Sequence, residues 1–177
     1  MPVARRAPRR LFLLVLPLLL VPIGTLEAQS PPGCTSSEYR QFDFLVGEWT
    51  VTLPNGTVAG TNRIESILGG CALQEHWSSA RGGDGTSLNL WNAADSTWRQ
   101  VWVDGSGGLL ELSGELIGES MVLSGTARVA GGSGGTVLNR ITWTPNADGT
   151  VRQLWESSPD GGTTWATQFD GRYARRP

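Results

Sequence analysis

The chain contains no lysine, one histidine (His76) and two cysteines, Cys34 and Cys71, in 177 residues. Without lysine, Schiff-base chemistry and a Walker-type phosphate loop are excluded, because both need its ammonium group. A single histidine gives no zinc-ligand spacing and no Ser-His-Asp set, so metallohydrolase and triad mechanisms lack support. Basic charge is also scarce. Beyond residue 28, ten arginines face fifteen acids, a net charge of −5. Nucleic acid, which demands a basic footprint, is therefore not an expected partner. Helical periodicity is nearly absent; the one stretch that reads as a short helix is 36–44, with Ser36 or Ser37 as N-cap before Glu38.

Long apolar runs are limited to residues 11–23, interrupted by Pro17 and Pro22 and preceded by Arg5, Arg6, Arg9 and Arg10. This is the layout of a secretory signal peptide, too short and wrongly flanked to span a bilayer. The expected organisation is a signal peptide over 1–28, an N-terminal segment over 29–40 and a single domain over 41–177. Arg9-Arg10-Leu11-Phe12-Leu13 also resembles a twin-arginine signal, so the export route stays open between the two. The expected location is periplasmic or secreted, with no stable membrane insertion after cleavage. In such a compartment Cys34 and Cys71 are expected to form a disulfide, worth about 3–4 kcal/mol for a loop of this length. Two unpaired buried thiols are the alternative.

Glycine is plentiful, with 24 residues. Short alternating segments recur between turn signals, which reads as all-β. The strands fall at 48–53, 57–67, 71–79, 86–92, 97–103, 109–116, 119–127, 136–144, 150–157 and 164–174. Connections this short make sequence neighbours pair antiparallel, and a meander of about ten strands removes its edges by closing. The expected fold is an antiparallel up-and-down β-barrel. Asn55-Gly56 reads as a type I′ hairpin turn. Gly131-Gly132-Ser133-Gly134-Gly135 reads as a loop, since a strand and no helix follows it.

Tryptophan is the loudest signal. All eight lie beyond residue 28, at 49, 77, 91, 98, 102, 143, 155 and 165. Period-two alternation puts Glu75 with Trp77, Asn89 with Trp91, Trp98 with Gln100 and Trp102, Asn139 with Trp143, and Gln153 with Trp155. Apolar walls with a few polar groups are what a ligand cavity needs, so Glu75, Trp77, Asn89, Trp91, Gln100, Trp102, Asn139, Trp143, Gln153 and Trp155 are the candidate ligand residues. The same side chains would equally fill a solid core. His76 falls on the outer face. Arg63, Arg140 and Arg152 either bind an anion or pair with outer-face acids such as Glu65 and Glu156. No cofactor and no metal site is expected.

Three resemblances add to this. Ser158-Pro159-Asp160-Gly161-Gly162-Thr163-Thr164-Trp165 resembles the Asp box of sialidases, where several copies clip blade hairpins away from the catalytic centre. The single copy here reads as an architectural clip built on Asp160 and Trp165. Gly47-Glu48-Trp49 resembles the first lipocalin motif, which implies that Trp49 closes the barrel floor under an arginine of the last strand, with Arg172 as the match. "FDFLVGEW", "GTNRIESILGGCALQEHW", "LNLWNAADSTWRQVWVD", "NRITWTP", "RQLWESSPDGGTTW" and "FDGRYARR" together resemble an uncharacterised family of exported bacterial calycin-like proteins, which implies the fold and no catalytic residues. The expected function is binding of a small, largely apolar molecule in a Trp-rich interior. The alternatives are a barrel enzyme, an isomerase or cyclase or one acting on glycans with Glu75 as its acid, and a structural envelope module.

Overall fold

A computed structural model describes residues 33–128 and 135–177. The expected signal peptide and the Gly131–Gly134 part of the glycine loop lie outside the described residues. Ten strands follow one another: β1 (Gly47–Thr52), β2 (Val58–Ile67), β3 (Ala72–Ser79), β4 (Asp84–Asn92), β5 (Thr97–Asp104), β6 (Leu109–Ile117), β7 (Ser120–Arg128), β8 (Thr136–Pro145), β9 (Val151–Ser158) and β10 (Ala166–Arg175). Each pairs antiparallel with its sequence neighbours, and β1 closes on β10, giving a closed barrel. Alternation drives this: along β5 Trp98 and Gln100 are buried while Arg99 and Val101 are exposed. The short helix before β1 takes the form of two 3-10 turns, Ser37–Arg40 and Asp43–Leu45.

Those turns plug one end of the barrel. Phe42 and Leu45 are buried, and the Phe42 ring meets Trp98 at 5.4 Å and Trp143 at 6.1 Å between centroids. Trp98 donates its indole N–H to Gln41 Oε1 (3.0 Å), and Trp49 donates to the Leu45 carbonyl (2.8 Å). Leu73, Met121 and Leu123 complete this apolar floor. A bond between Cys34 and Cys71 ties the plug to the β2–β3 connection, with a Cα–Cα distance of 4.9 Å.

The register corrects one assignment. Arg175 stands opposite Trp49 and stacks over its ring at 4.4 Å, while its guanidinium donates to the Val46 carbonyl (3.0 Å). Arg172, three residues earlier and of opposite parity, faces outward opposite Thr52 and pairs with Asp148 at 2.8 Å. A second correction concerns Asn55-Gly56. Only Gly56 takes positive φ (83°), and its N–H closes onto the Leu53 carbonyl (2.8 Å). Pro54, locked at negative φ, pulls the turn back one residue, and Gly56 follows it in the left-handed region.

The Asp-box hairpin joins β9 to β10. Asp160 accepts from Ser158 Oγ (2.8 Å), Thr164 N (2.8 Å) and Thr164 Oγ1 (2.7 Å), bonds that hold its carboxyl down at about 2, the Thr164 backbone N–H contributing most. Trp165 donates to the Gly162 carbonyl (3.0 Å), and Arg140 lies 3.9 Å over its ring on the outer wall.

Candidate functional site

The inward residues of successive strands divide the interior into layers along the barrel axis. Reading β3 from floor to mouth gives Leu73, Glu75, Trp77; β5 gives Trp98, Gln100, Trp102; β4, running the other way, gives Trp91, Asn89, Ser87 and Gly85. An apolar floor is thus followed by a polar layer and then by an aromatic wall. Above the floor a cavity of about 780 Å³ opens at the end formed by the β1–β2, β3–β4 and β5–β6 connections. This volume is within the usual range for small-molecule sites.

The aromatic wall consists of Trp77, Trp102, Trp155 and Phe169. Two glycines let the rings lie flat on the sheet. A Cβ on Gly85 would collide with Trp102, and one on Gly171 with Phe169. Phe169 has the same parity as Gly171 and Tyr173 and stands opposite Trp155, and its ring meets Trp77 edge-on at 6.1 Å.

Glu75, 4 % exposed, is the centre of the polar layer. Its Oε1 accepts from Asn62 Nδ2 (2.6 Å) and its Oε2 from Ser87 Oγ (2.6 Å). Asn89 Nδ2 in turn donates to Ser87 Oγ (2.9 Å). On the far side Tyr173 donates its hydroxyl to Gln153 Oε1 (2.6 Å), with Asn62 Nδ2 3.5 Å from the same hydroxyl. Burial pushes the Glu75 carboxyl up, opposed by the hydrogen bonds from Ser87 and Asn62 and by the field of His76. Burial, and after it the charge of Glu75, holds the Tyr173 phenol well above its ordinary value.

No family model matches the chain, and no curated protein does. The site therefore rests on its own geometry. Glu75, Trp77, Gln100, Trp102, Gln153 and Trp155 all line the cavity, as the alternation implied. Four other candidates do not. Trp143 is sealed in the floor, and Trp91 packs against Trp98 there at 6.4 Å. Asn89 lies behind Ser87, and Asn139 accepts the Trp155 indole N–H (2.9 Å), supporting the wall from outside the cavity. Parity places a side chain inside the barrel but not at a height along its axis.

Several lining or supporting residues had weaker signals. Asn62 shares parity with the buried Ile64, and Tyr173 shares parity with Gly171 near the end of an alternating strand. Ser87 is too small to stand out, and Phe169 shares parity with Gly171 and Tyr173.

The outer-face arginines singled out in the sequence are paired with acids. Arg63 pairs with Glu65, which also faces His76 at 3.6 Å; Arg140 pairs with Glu156 at 2.9 Å and Arg152 with Asp170 at 2.8 Å. The anion-binding option for these arginines is thereby answered by outer-wall ion pairs. Among the described residues, no three His, Cys, Asp or Glu side chains gather as a metal site, and no helix is long and apolar enough to cross a membrane.

Proposed function

We propose that the protein is an exported, lipocalin-like barrel that holds a small, largely apolar molecule with one polar end. The observation that carries this reading is the 780 Å³ cavity, with Trp77, Trp102, Trp155 and Phe169 around the entrance and Glu75 and Gln100 at its base. An apolar body would displace water from the aromatic wall, and a polar end would meet the buried side chains that fix its orientation. The arrangement of Trp49 beneath Arg175 at the closed end resembles the lipocalin floor and adds weight to that likeness. The Cys34–Cys71 bond favours an oxidising compartment outside the cytoplasm.

Native mass spectrometry of the purified protein and Trp fluorescence titration with a library of apolar compounds test the reading. A retained molecule or saturable quenching is expected, weakened by Trp102→Ala. A barrel that carries nothing and shows no fluorescence change with any member of the library would sink it.

A further inference from the structure

Resting on that binding reading, we infer that the polar end of the ligand is a cation: the cavity is built for a protonated amine on an apolar body, with Glu75 as its counter-charge.

Four observations converge on this. First, Glu75 is a carboxyl group at the base of a cavity with an aromatic wall, held only by the neutral donors Asn62 and Ser87. A buried carboxylate without a cation is costly, and the usual remedies are a paired base or protonation. Arg63, Arg140 and Arg152 are committed to outer-wall acids, and Arg81, on the β3–β4 connection at the rim, makes no ion pair with Glu75. Second, the polar layer is short of donors. Its unpartnered buried side-chain atoms are Asn62 Oδ1, Asn89 Oδ1 and Gln100 Oε1, all acceptors, and Gln100 belongs to the lining. An ammonium brings three donors and no acceptor.

Third, the aromatic wall suits a positive charge, because ring faces are negative and attract ammonium groups. Fourth, the lining adds no net positive charge to set against Glu75. Of its other charged side chains, Asp104 is acidic, Arg81 is basic and Asp170 is paired with Arg152 on the outer wall. Asp104 is kept ionised by hydrogen bonds from the Ser106 hydroxyl and from the Gly108 and Ser106 backbone. A fatty acid or other anionic amphiphile that reached the base of the cavity would bring its carboxylate against Glu75, which has no base paired with it.

The inference has a proton signature. The ionisable groups around Glu75 are Tyr173 on β10 and, through the sheet, His76, which is half-exposed beside Glu65 and Arg63; β2 and β4 present the neutral Asn62 and Ser87. In the free protein burial favours the protonated carboxyl. An arriving ammonium favours the carboxylate, so at any pH where the free carboxyl is protonated the proton leaves Glu75 as the amine binds. Amine affinity then rises with pH through the free-protein titration of Glu75, until the amine itself deprotonates.

Isothermal titration calorimetry of the folded barrel with 1-octylamine, 1-octanol and octanoate tests this on one body with three end groups. The expected result is that octylammonium binds about tenfold or more tighter than octanol, as a charge-assisted bond warrants. Glu75→Gln should bring the amine within about threefold of octanol while octanol affinity holds. Proton release on amine binding, read from buffers of different ionisation enthalpy, needs only the wild-type protein and stands even if the variant folds poorly. Equal affinity for the three, or a preference for octanol or octanoate, overturns the cation assignment and leaves the binding reading intact. Binding of none of them to a folded barrel takes down both.

Discussion

At the scale of single residues, Glu75 makes the fold less stable as pH rises. Burial raises its carboxyl above the unfolded value of 4.5, so the folded protein keeps a proton that the unfolded chain has already released. Its stabilising contribution is complete below the unfolded value and is lost as pH climbs through the raised one. Glu75→Gln removes that titration. The unfolding free energy of the wild type should fall relative to the variant as pH is raised from about 4 to about 8, followed by urea denaturation. Parallel curves would show that the carboxyl is not shifted. Asp148 and Asp160 act oppositely: both are held down at about 2, Asp148 chiefly by the Thr150 hydroxyl, so their contribution is present at neutral pH and lost only as pH falls through that value. Arg175 and Arg172 form a second comparison. Arg175→Ala should cost about 1 kcal/mol through the loss of its stacking on Trp49 and should change the near-ultraviolet circular dichroism of that indole. Arg172→Ala, which removes an exposed outer-wall pair, should leave both nearly unchanged.

At the scale of elements, β4 and β10 are shaped by what lies on their glycines. Trp102 covers Gly85 from the neighbouring strand, and Phe169 covers Gly171 within β10. Gly85→Ala should therefore destabilise the barrel by about 1–3 kcal/mol, as overpacking does, and drive the Trp102 ring into the cavity. Urea denaturation and Trp fluorescence read the two effects. An alanine variant of unchanged stability and emission would mean that the ring does not rest on this glycine. The β9–β10 hairpin has the opposite character. Asp160 accepts three bonds from its own turn, and Trp165 packs outside the barrel under Arg140. The Asp-box spelling therefore marks a local clip on the outer wall, and the cavity owes none of its lining to it.

At the scale of the whole molecule, the two ends of the barrel have different tasks. The closed end gathers Phe42, Leu45, Trp49, Trp98 and Trp143 into an apolar plug, and the Cys34–Cys71 bond holds the entering chain against it. The open end leaves its tryptophans on a cavity wall. Because the bond closes a loop with a sequence separation of 37, its reduction, or the double variant Cys34→Ala/Cys71→Ala, should lower stability by about 3–4 kcal/mol. The far-ultraviolet spectrum should stay that of an intact barrel, since the strand ladder closes without the bridge. No loss in urea denaturation would mean that the plug holds by packing alone.

Strand number, antiparallel order and the inward set of Trp, Asn, Gln and Glu were legible in the sequence, because alternation with period two and short turn signals are local properties of the chain. So was the clip at Asp160, whose partners lie within four residues of it. Position along the barrel axis was not legible. That depends on how strands are staggered around a closed sheet, which a single strand does not record. Register alone decided that Arg175 rather than Arg172 covers Trp49, that Trp91 and Trp143 seal the floor while Trp77, Trp102 and Trp155 face the cavity, and that Asn62 and Ser87 converge on Glu75 from β2 and β4. The sequence by itself determined the alternation that turns Glu75 and the tryptophans of the strands inward; the tertiary stagger decided which became floor, polar layer and wall.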